Sequence, residues 1–254
     1  MVNKLDLRYG NPAFLQGYWD KFKEYIEIHR LPYLEEAKQL SYQTEPVPEL
    51  IQAIRDTHIM YGNANTENKH IIIGNGATHL LTAILHALDK PVFAEPPFYP
   101  RFTDISHLAQ VHWIKDLYST QIITNPNNPD GNISGTERSM TTVYDLSYNW
   151  PQYTDPICYN KEIMVFSFAK ATGFASTRIG WAIIEDKTLA NKVQHYIEMS
   201  SCGISLQAQH TAYKVLKQEM IRPYAVYNYG KDELYKRWKI LNWNKNLIKD
   251  IKIL

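Results

Sequence analysis

Cysteine is nearly missing from this chain: Cys158 and Cys202 are the only two in 254 residues. They stand far apart without C-x-x-C spacing, so neither a disulfide framework nor a cysteine-based zinc site is implied. Net charge is equally scarce, with 27 Lys and Arg against 26 Asp and Glu, a balance of +1. That leaves no basic footprint for nucleic acid and no polybasic patch for a membrane surface. No apolar run approaches the ~20 residues of a membrane span. The opening MVNKLDLRYGNP turns polar at once, without the apolar stretch of a signal peptide. Internal repeats and low-complexity linkers are absent too. These absences predict a soluble, cytoplasmic protein that binds neither nucleic acid nor membrane. What is present is 44% hydrophobic and 21% charged residues, the balance of a chain that buries a sizeable core.

The organisation reads from the apolar pattern. Leu5 to Pro12 reads as extended, followed by an amphipathic, aromatic-rich helix from about Phe14 to Ile28. Pro46 and Pro48 open a helix over Glu49 to Met60, as proline is tolerated in a first turn. From Ile71 the pattern changes to short apolar runs at 71–73, 91–94, 111–114, 121–124, 141–144, 163–166 and 180–184. Runs of this length bounded by Gly, Pro, Asn and Asp suit buried strands of a mostly parallel α/β sheet. Helices are expected over Leu80–Leu88, Leu189–Met199, Leu206–Gln218 and Asp232 to about Leu241.

In an open parallel sheet, ligands gather where the strands end at their carboxyl edge. Past Ile73 comes Gly74-Asn75-Gly76-Ala77-Thr78, and past Ala94 comes Glu95-Pro-Pro-Phe-Tyr99. Past Thr124 comes Asn125-Pro-Asn-Asn128, and past Tyr144 comes Asp145-Leu-Ser-Tyr148. Past Phe166 comes Ser167-Phe-Ala-Lys170, with Arg178 eight residues beyond the lysine. Together these groups describe one ligand, with a phosphate, an aromatic ring and an aldehyde that a lysine captures.

The ordered set YGNP (9–12), LSYQ (40–43), GNGATHLL (74–81), PPFYPRF (96–102), TNPNNPDG (124–131), VYDLSYNWPQYT (143–154), SFAKATGFASTRIGWA (167–182) and SSCGISLQAQ (200–209) resembles the fold-type I pyridoxal-phosphate (PLP) enzymes. Within them it is most similar to the alliinase and tryptophan–pyruvate aminotransferase branch. The resemblance runs from about residue 5 to 241. It implies an aspartate aminotransferase-like fold: an N-terminal segment and dimerisation arm over 1–45, a PLP-binding large domain over 46–220, and a helix with a remnant of the small domain over 221–254.

The resemblance also implies roles. Lys170 forms the Schiff base with the cofactor and acts as base at the substrate Cα. Asp145 pairs with the pyridine nitrogen, while Asn128 and Tyr148 hydrogen-bond the ring's phenolic oxygen. Tyr99 stacks on the ring, with Phe98 the alternative. The N–H groups of Gly76, Ala77 and Thr78 cradle the phosphate at a helix N-terminus. The hydroxyls of Thr78 and Ser167 and the guanidinium of Arg178 complete that site. Tyr42 is the tyrosine that reaches the phosphate of a neighbouring subunit, and Gly10 is a backbone contact to substrate. Tyr18, Trp19, Phe22 and Tyr25 of the first helix offer apolar area for a homodimer interface.

Competing readings are weaker. GNGATH lacks the third glycine of a dinucleotide fingerprint, which His79 replaces. His79 and His86 share a helix face, but no carboxylate or Cys stands near them to make a metal site. Transamination between amino and keto acids is the expected activity, with alliinase-type carbon–sulfur cleavage as the alternative and non-catalytic PLP binding as a third. The family's small domain carries an arginine for the substrate carboxylate, and no residue here occupies the matching position. Arg8, Arg101 or Arg222 is the expected substitute, unless turnover has been lost or a second chain supplies the missing lobe.

Overall fold

The computed structural model describes residues 12–21, 45–133 and 135–243. Six strands form one sheet: β1 (His70–Gly74), β2 (Val92–Phe93), β3 (Thr120–Thr124), β4 (Thr141–Asp145), β5 (Ile163–Ser167) and β6 (Gly180–Ile184), in the order β1-β6-β5-β4-β3-β2. β2 to β5 run parallel, and β6 runs antiparallel to both β5 and β1. Every residue of β3, β5 and β6 is buried, as expected when helices cover both faces of a sheet. The expected mostly parallel sheet is present, with one reversed strand.

That reversal matters for the site. Gly74 and Ser167 close β1 and β5, and both pair with Gly180, the first residue of β6. The segment entering β6, which carries Arg178, therefore arrives at the edge where the parallel strands end.

One face of the sheet is covered by α3 (Gly76–Leu88) and α6 (Lys187–Ser201), with the short α4 (Arg101–Leu108) against α3. Across the sheet lies α2 (Pro48–Tyr61), packed on α7 (Leu206–Ile221). From α2, His58 enters the core against Phe166, Trp150 and Trp181, with ring centroids 4.5 to 5.7 Å away. Trp181 Nε1 donates to His58 Nε2 at 2.8 Å, so the proton sits on Nδ1, 2.7 Å from the accepting Asn63 Oδ1. Burial holds this imidazole neutral, with its pKa pushed down to about 4.

Three expectations change. The run at Val111–Ile114 is an isolated bridge of Trp113 to Val92 rather than a strand. Its pairing stops because Asp116 Oδ1 accepts from the backbone N–H groups of Tyr118 and Ser119 and from the Ser119 hydroxyl, turning the chain away. The last helix, α8 (Ala225–Trp243), starts seven residues before the expected Asp232. Gly230 lies within it, and a Cβ there would come 3.0–3.1 Å from Leu15, Phe14 and Gln152, so the glycine permits this close packing. Finally, Tyr18 and Trp19 are buried within their own subunit, in α1 (Gln16–Trp19). Their rings pack on Tyr229 and Phe174, so they are core here and not free interface area. Phe22 and Tyr25 lie outside the described residues. No helix among the described residues is long and apolar enough to cross a membrane.

Candidate active site

A cavity of about 450 Å3 opens at the carboxyl edge of the sheet. Gly76, Ala77, Thr78, Tyr99, Asn128, Asp145, Tyr148, Ser167, Lys170 and Arg178 all line it. Residues spread over 103 positions of sequence thus meet in one place. Phe98 does not line it, and its ring turns instead toward Phe102 and Trp113. Tyr42 and Gly10 lie outside the described residues.

One end of the cavity is built for an anion. Asn75 precedes α3 without a side-chain cap, which leaves first-turn N–H groups of that helix for a ligand. Gly76 has φ +80°, and a Cβ on it would stand 2.6 Å from Arg178 Nη2. A Cβ on Gly180 would fall 2.8 Å from Ala77 N and 2.9 Å from Phe166 O. Two glycines thus let Arg178, α3 and the strand edge converge without side chains between them.

The other end holds the titratable groups. Lys170 stands in α5 (Phe168–Thr172), with Nζ 5.5 Å from the centre of the Tyr148 ring. Burial pushes this amine down to about 8, nearby Asp145 opposes the shift, and Arg178 adds to it. Asp145 ends β4 and is pushed up from the usual carboxylate value by burial, against hydrogen bonds from Ser147 and the charge of Lys170. The Ser147 N–H (3.1 Å) and hydroxyl (2.6 Å) both donate to its Oδ1. Tyr148 is raised by burial and by Asp145 and Tyr99, although a hydrogen bond with Asn128 works the other way. Its hydroxyl therefore stays protonated, a donor at neutral pH.

Sequence reasoning missed Thr124 and Ser147. Thr124 pairs in register with Asp145, and its buried hydroxyl has no partner among the described residues. Ser147 was legible in the Asp-x-Ser spacing, a local turn in which Asp accepts from the backbone two residues on. Of the three arginines expected to meet a carboxylate, Arg101 lines the cavity and Arg222 does not, while Arg8 lies outside the described residues. His79 is a backbone ligand, its Nδ1 accepting from Asn75 N–H at 3.2 Å. His86 meets Ala109 O at 3.3 Å.

A family model described as allinase matches residues 5–250. The chain belongs to this family. It is 32% identical to tryptophan aminotransferase-related protein 2 of Arabidopsis thaliana, over 98% of this chain and 62% of that protein. It is 30% identical to alliin lyase of Allium cepa var. aggregatum, over 84% of this chain and 54% of that enzyme. The chain thus spans little more than half the length of these curated relatives. Among solved structures, an aspartate aminotransferase mutant of Thermus thermophilus superposes with a TM-score of 0.70 at 16% identity, over 97% of this chain and 80% of that one. N-succinyldiaminopimelate aminotransferase of Mycobacterium tuberculosis gives 0.68 at 17% identity, over 94% and 70%. The fold is that of the aspartate aminotransferase-like enzymes.

Proposed function

We propose that this protein is a PLP-dependent enzyme acting on an α-amino acid, and that its reaction is transamination. The observation that carries the reading is Lys170, an amine held near pKa 8 between Asp145 and Tyr148, in one cavity with an anion cradle. The cavity fits the cofactor. Its cradle is kept open by glycines where a Cβ would intrude, and the orphaned Thr124 hydroxyl offers a hydrogen bond.

Bound there, the cofactor supplies an aldehyde that captures amines and a ring that accepts the electron pair released at Cα. The chain's own residues do the rest. Gly76, Ala77 and Thr78 would hold the phosphate through backbone N–H groups, joined by Ser167 and Arg178. Asp145 would hold a proton at the ring nitrogen, and such a cationic N–H would offset the desolvation that raises the Asp145 pKa. Asn128 and Tyr148 would hold the cofactor by hydrogen bonds to its phenolic oxygen, and Tyr99 would pack on its ring. Lys170 Nζ then takes the proton from the substrate Cα, a task suited to a base whose pKa lies near the working pH. A homodimer in which Tyr42 of one copy reaches its partner's phosphate belongs to the same reading.

Similarity to an alliin lyase supports the second reading, in which the same proton abstraction leads to loss of a β-thio or sulfoxide group. A half-reaction with a panel of amino acids separates the two. Transamination yields a keto acid and the aminated cofactor; cleavage yields pyruvate and ammonia. No conversion of any amino acid would leave a protein that binds PLP without turnover.

Arg178→Ala tests the cradle. Charge-assisted hydrogen bonds to a phosphate are worth roughly 1.5–3 kcal/mol each. PLP affinity should fall by about tenfold or more, since ~1.4 kcal/mol is one decade. An unchanged dissociation constant by fluorescence titration would remove Arg178 from the phosphate site.

A further inference from the structure

The helix that carries Lys170 is only five residues long, too short to satisfy its own carbonyls. Each of the five is nonetheless paired. Phe168 O accepts from Thr172 Oγ1 at 2.8 Å, and Ala169 O from Gly173 N at 2.9 Å. The remaining three are met by side chains from elsewhere in the chain. Gln152 Nε2 donates to Lys170 O at 2.8 Å and to Ala171 O at 3.1 Å, and Trp19 Nε1 donates to Thr172 O. Both hydrogens of the Gln152 amide are thereby used.

Gln152 has no freedom to do otherwise. It is 4% exposed, and α8 presses on it so closely that a Cβ at Gly230 would stand 3.1 Å from its own Cβ. A flipped amide would set its oxygen against two carbonyl oxygens. Gln152 lies in the turn after the one that bears Tyr148: Asn149 N donates to Leu146 O at 3.0 Å in the first, Tyr153 N donates to Trp150 O at 2.9 Å in the second, and Trp150 N donates to Tyr148 O at 2.8 Å between them. The chain segment just after Tyr148 and the helix bearing Lys170 are therefore joined through one side chain.

We propose that Gln152 is a positioning residue of Lys170: its amide fastens the carboxyl end of α5 to the segment that follows Tyr148 and so holds Nζ over the Tyr148 ring, beside Asp145. The proposal rests on the reading of Lys170 as the working amine of the site. Gln152 touches no reacting atom. It acts by keeping the Lys170 amine in its desolvated place above the Tyr148 ring, where burial first and then the charges of Asp145 and Arg178 set its basicity.

The experiment uses cofactor-free protein, so its outcome does not depend on PLP uptake, which is scored separately on the wild type. Lys170 is labelled by short pulses of an acylating reagent across a pH series and quantified by peptide mapping. Its midpoint should lie near 8 in the wild type. In Gln152→Met, of similar size but without a donor, the loosened helix end lets water reach Nζ. The midpoint should then rise by about one pH unit or more, toward the ordinary lysine value. Gln152→His keeps an N–H within reach and should restore most of the shift. If the Met variant does not fold, Gln152→Asn carries the test, since its amide remains polar but falls short of both carbonyls. An unchanged midpoint in a folded Met or Asn variant, with cooperative melting, overturns the proposal. A wild type that takes up no PLP would instead sink the function proposed above and leave this result standing.

Discussion

Lys170→Ala should remove covalent attachment of the cofactor while leaving much of its non-covalent binding, because the phosphate cradle and Asp145 lie on other elements. In the wild type, borohydride reduction should place a pyridoxyl group on the peptide containing Lys170; in the variant no peptide should carry it. Turnover should fall by roughly 10²–10⁴-fold from loss of the general base alone. The physical ground is placement. Among the described residues Lys170 is the lysine that lines the cavity, and burial lowers its pKa to about 8, which enlarges the fraction of free amine able to attack an aldehyde. A label on any other lysine, or wild-type turnover in the variant, contradicts the assignment.

A second large effect is expected far from the cavity. Glu219 of α7 is 2% exposed; Tyr227 donates to its Oε2 at 3.2 Å, and Oε1 has no partner among the described residues. Burial pushes its pKa up to about 8, partly offset by the Tyr227 hydrogen bond. The folded protein therefore keeps this proton up to about pH 8, whereas the unfolded chain releases it above about 4.5. A raised folded-state pKa contributes stability that is full below the unfolded value and lost as pH rises through the folded one. At ~1.4 kcal/mol per pH unit, the loss across that window is on the order of 3–5 kcal/mol.

His58 works in the opposite sense. Its folded pKa is depressed to about 4, so its contribution is lost as pH falls from about 6.5 toward 4. The two slopes cancel below about pH 6.5, and the Glu219 slope stands uncovered above it. Glu219→Gln, which has no proton to release, should accordingly be more stable than the wild type at pH 8 by roughly 2 kcal/mol or more, with little difference at pH 5. Urea melts of both proteins at pH 5, 6.5 and 8 measure this. Parallel pH profiles for the two proteins would show that Glu219 ionises freely in the native state.

Much of the site was legible in the amino-acid order because each strand end is a local feature. A short apolar run followed by Gly, Asn or Pro marks where a buried strand stops, and the next polar residues must then face the sheet edge. Gly76, Asp145, Ser167 and Lys170 each stand within three residues of such a stop and line one cavity. Two boundaries were not legible: α8 starts seven residues before Asp232, held against Phe14, Leu15 and Gln152 at Gly230, and the run at 111–114 is cut short by the local Asp116 turn.

Alone, the sequence determined the fold class, the family and which side chains gather at the carboxyl edge, since apolar periodicity and turn residues act over a few positions. Only the tertiary structure decided the rest. The reversal of β6, which delivers Arg178 to the anion cradle, depends on pairing with β1 and β5, strands that the order of residues does not pair by itself. The clamp of Gln152 on Lys170 and the burial of Glu219 likewise arise where distant segments press together, and desolvation there shifts a pKa by an amount no local motif encodes.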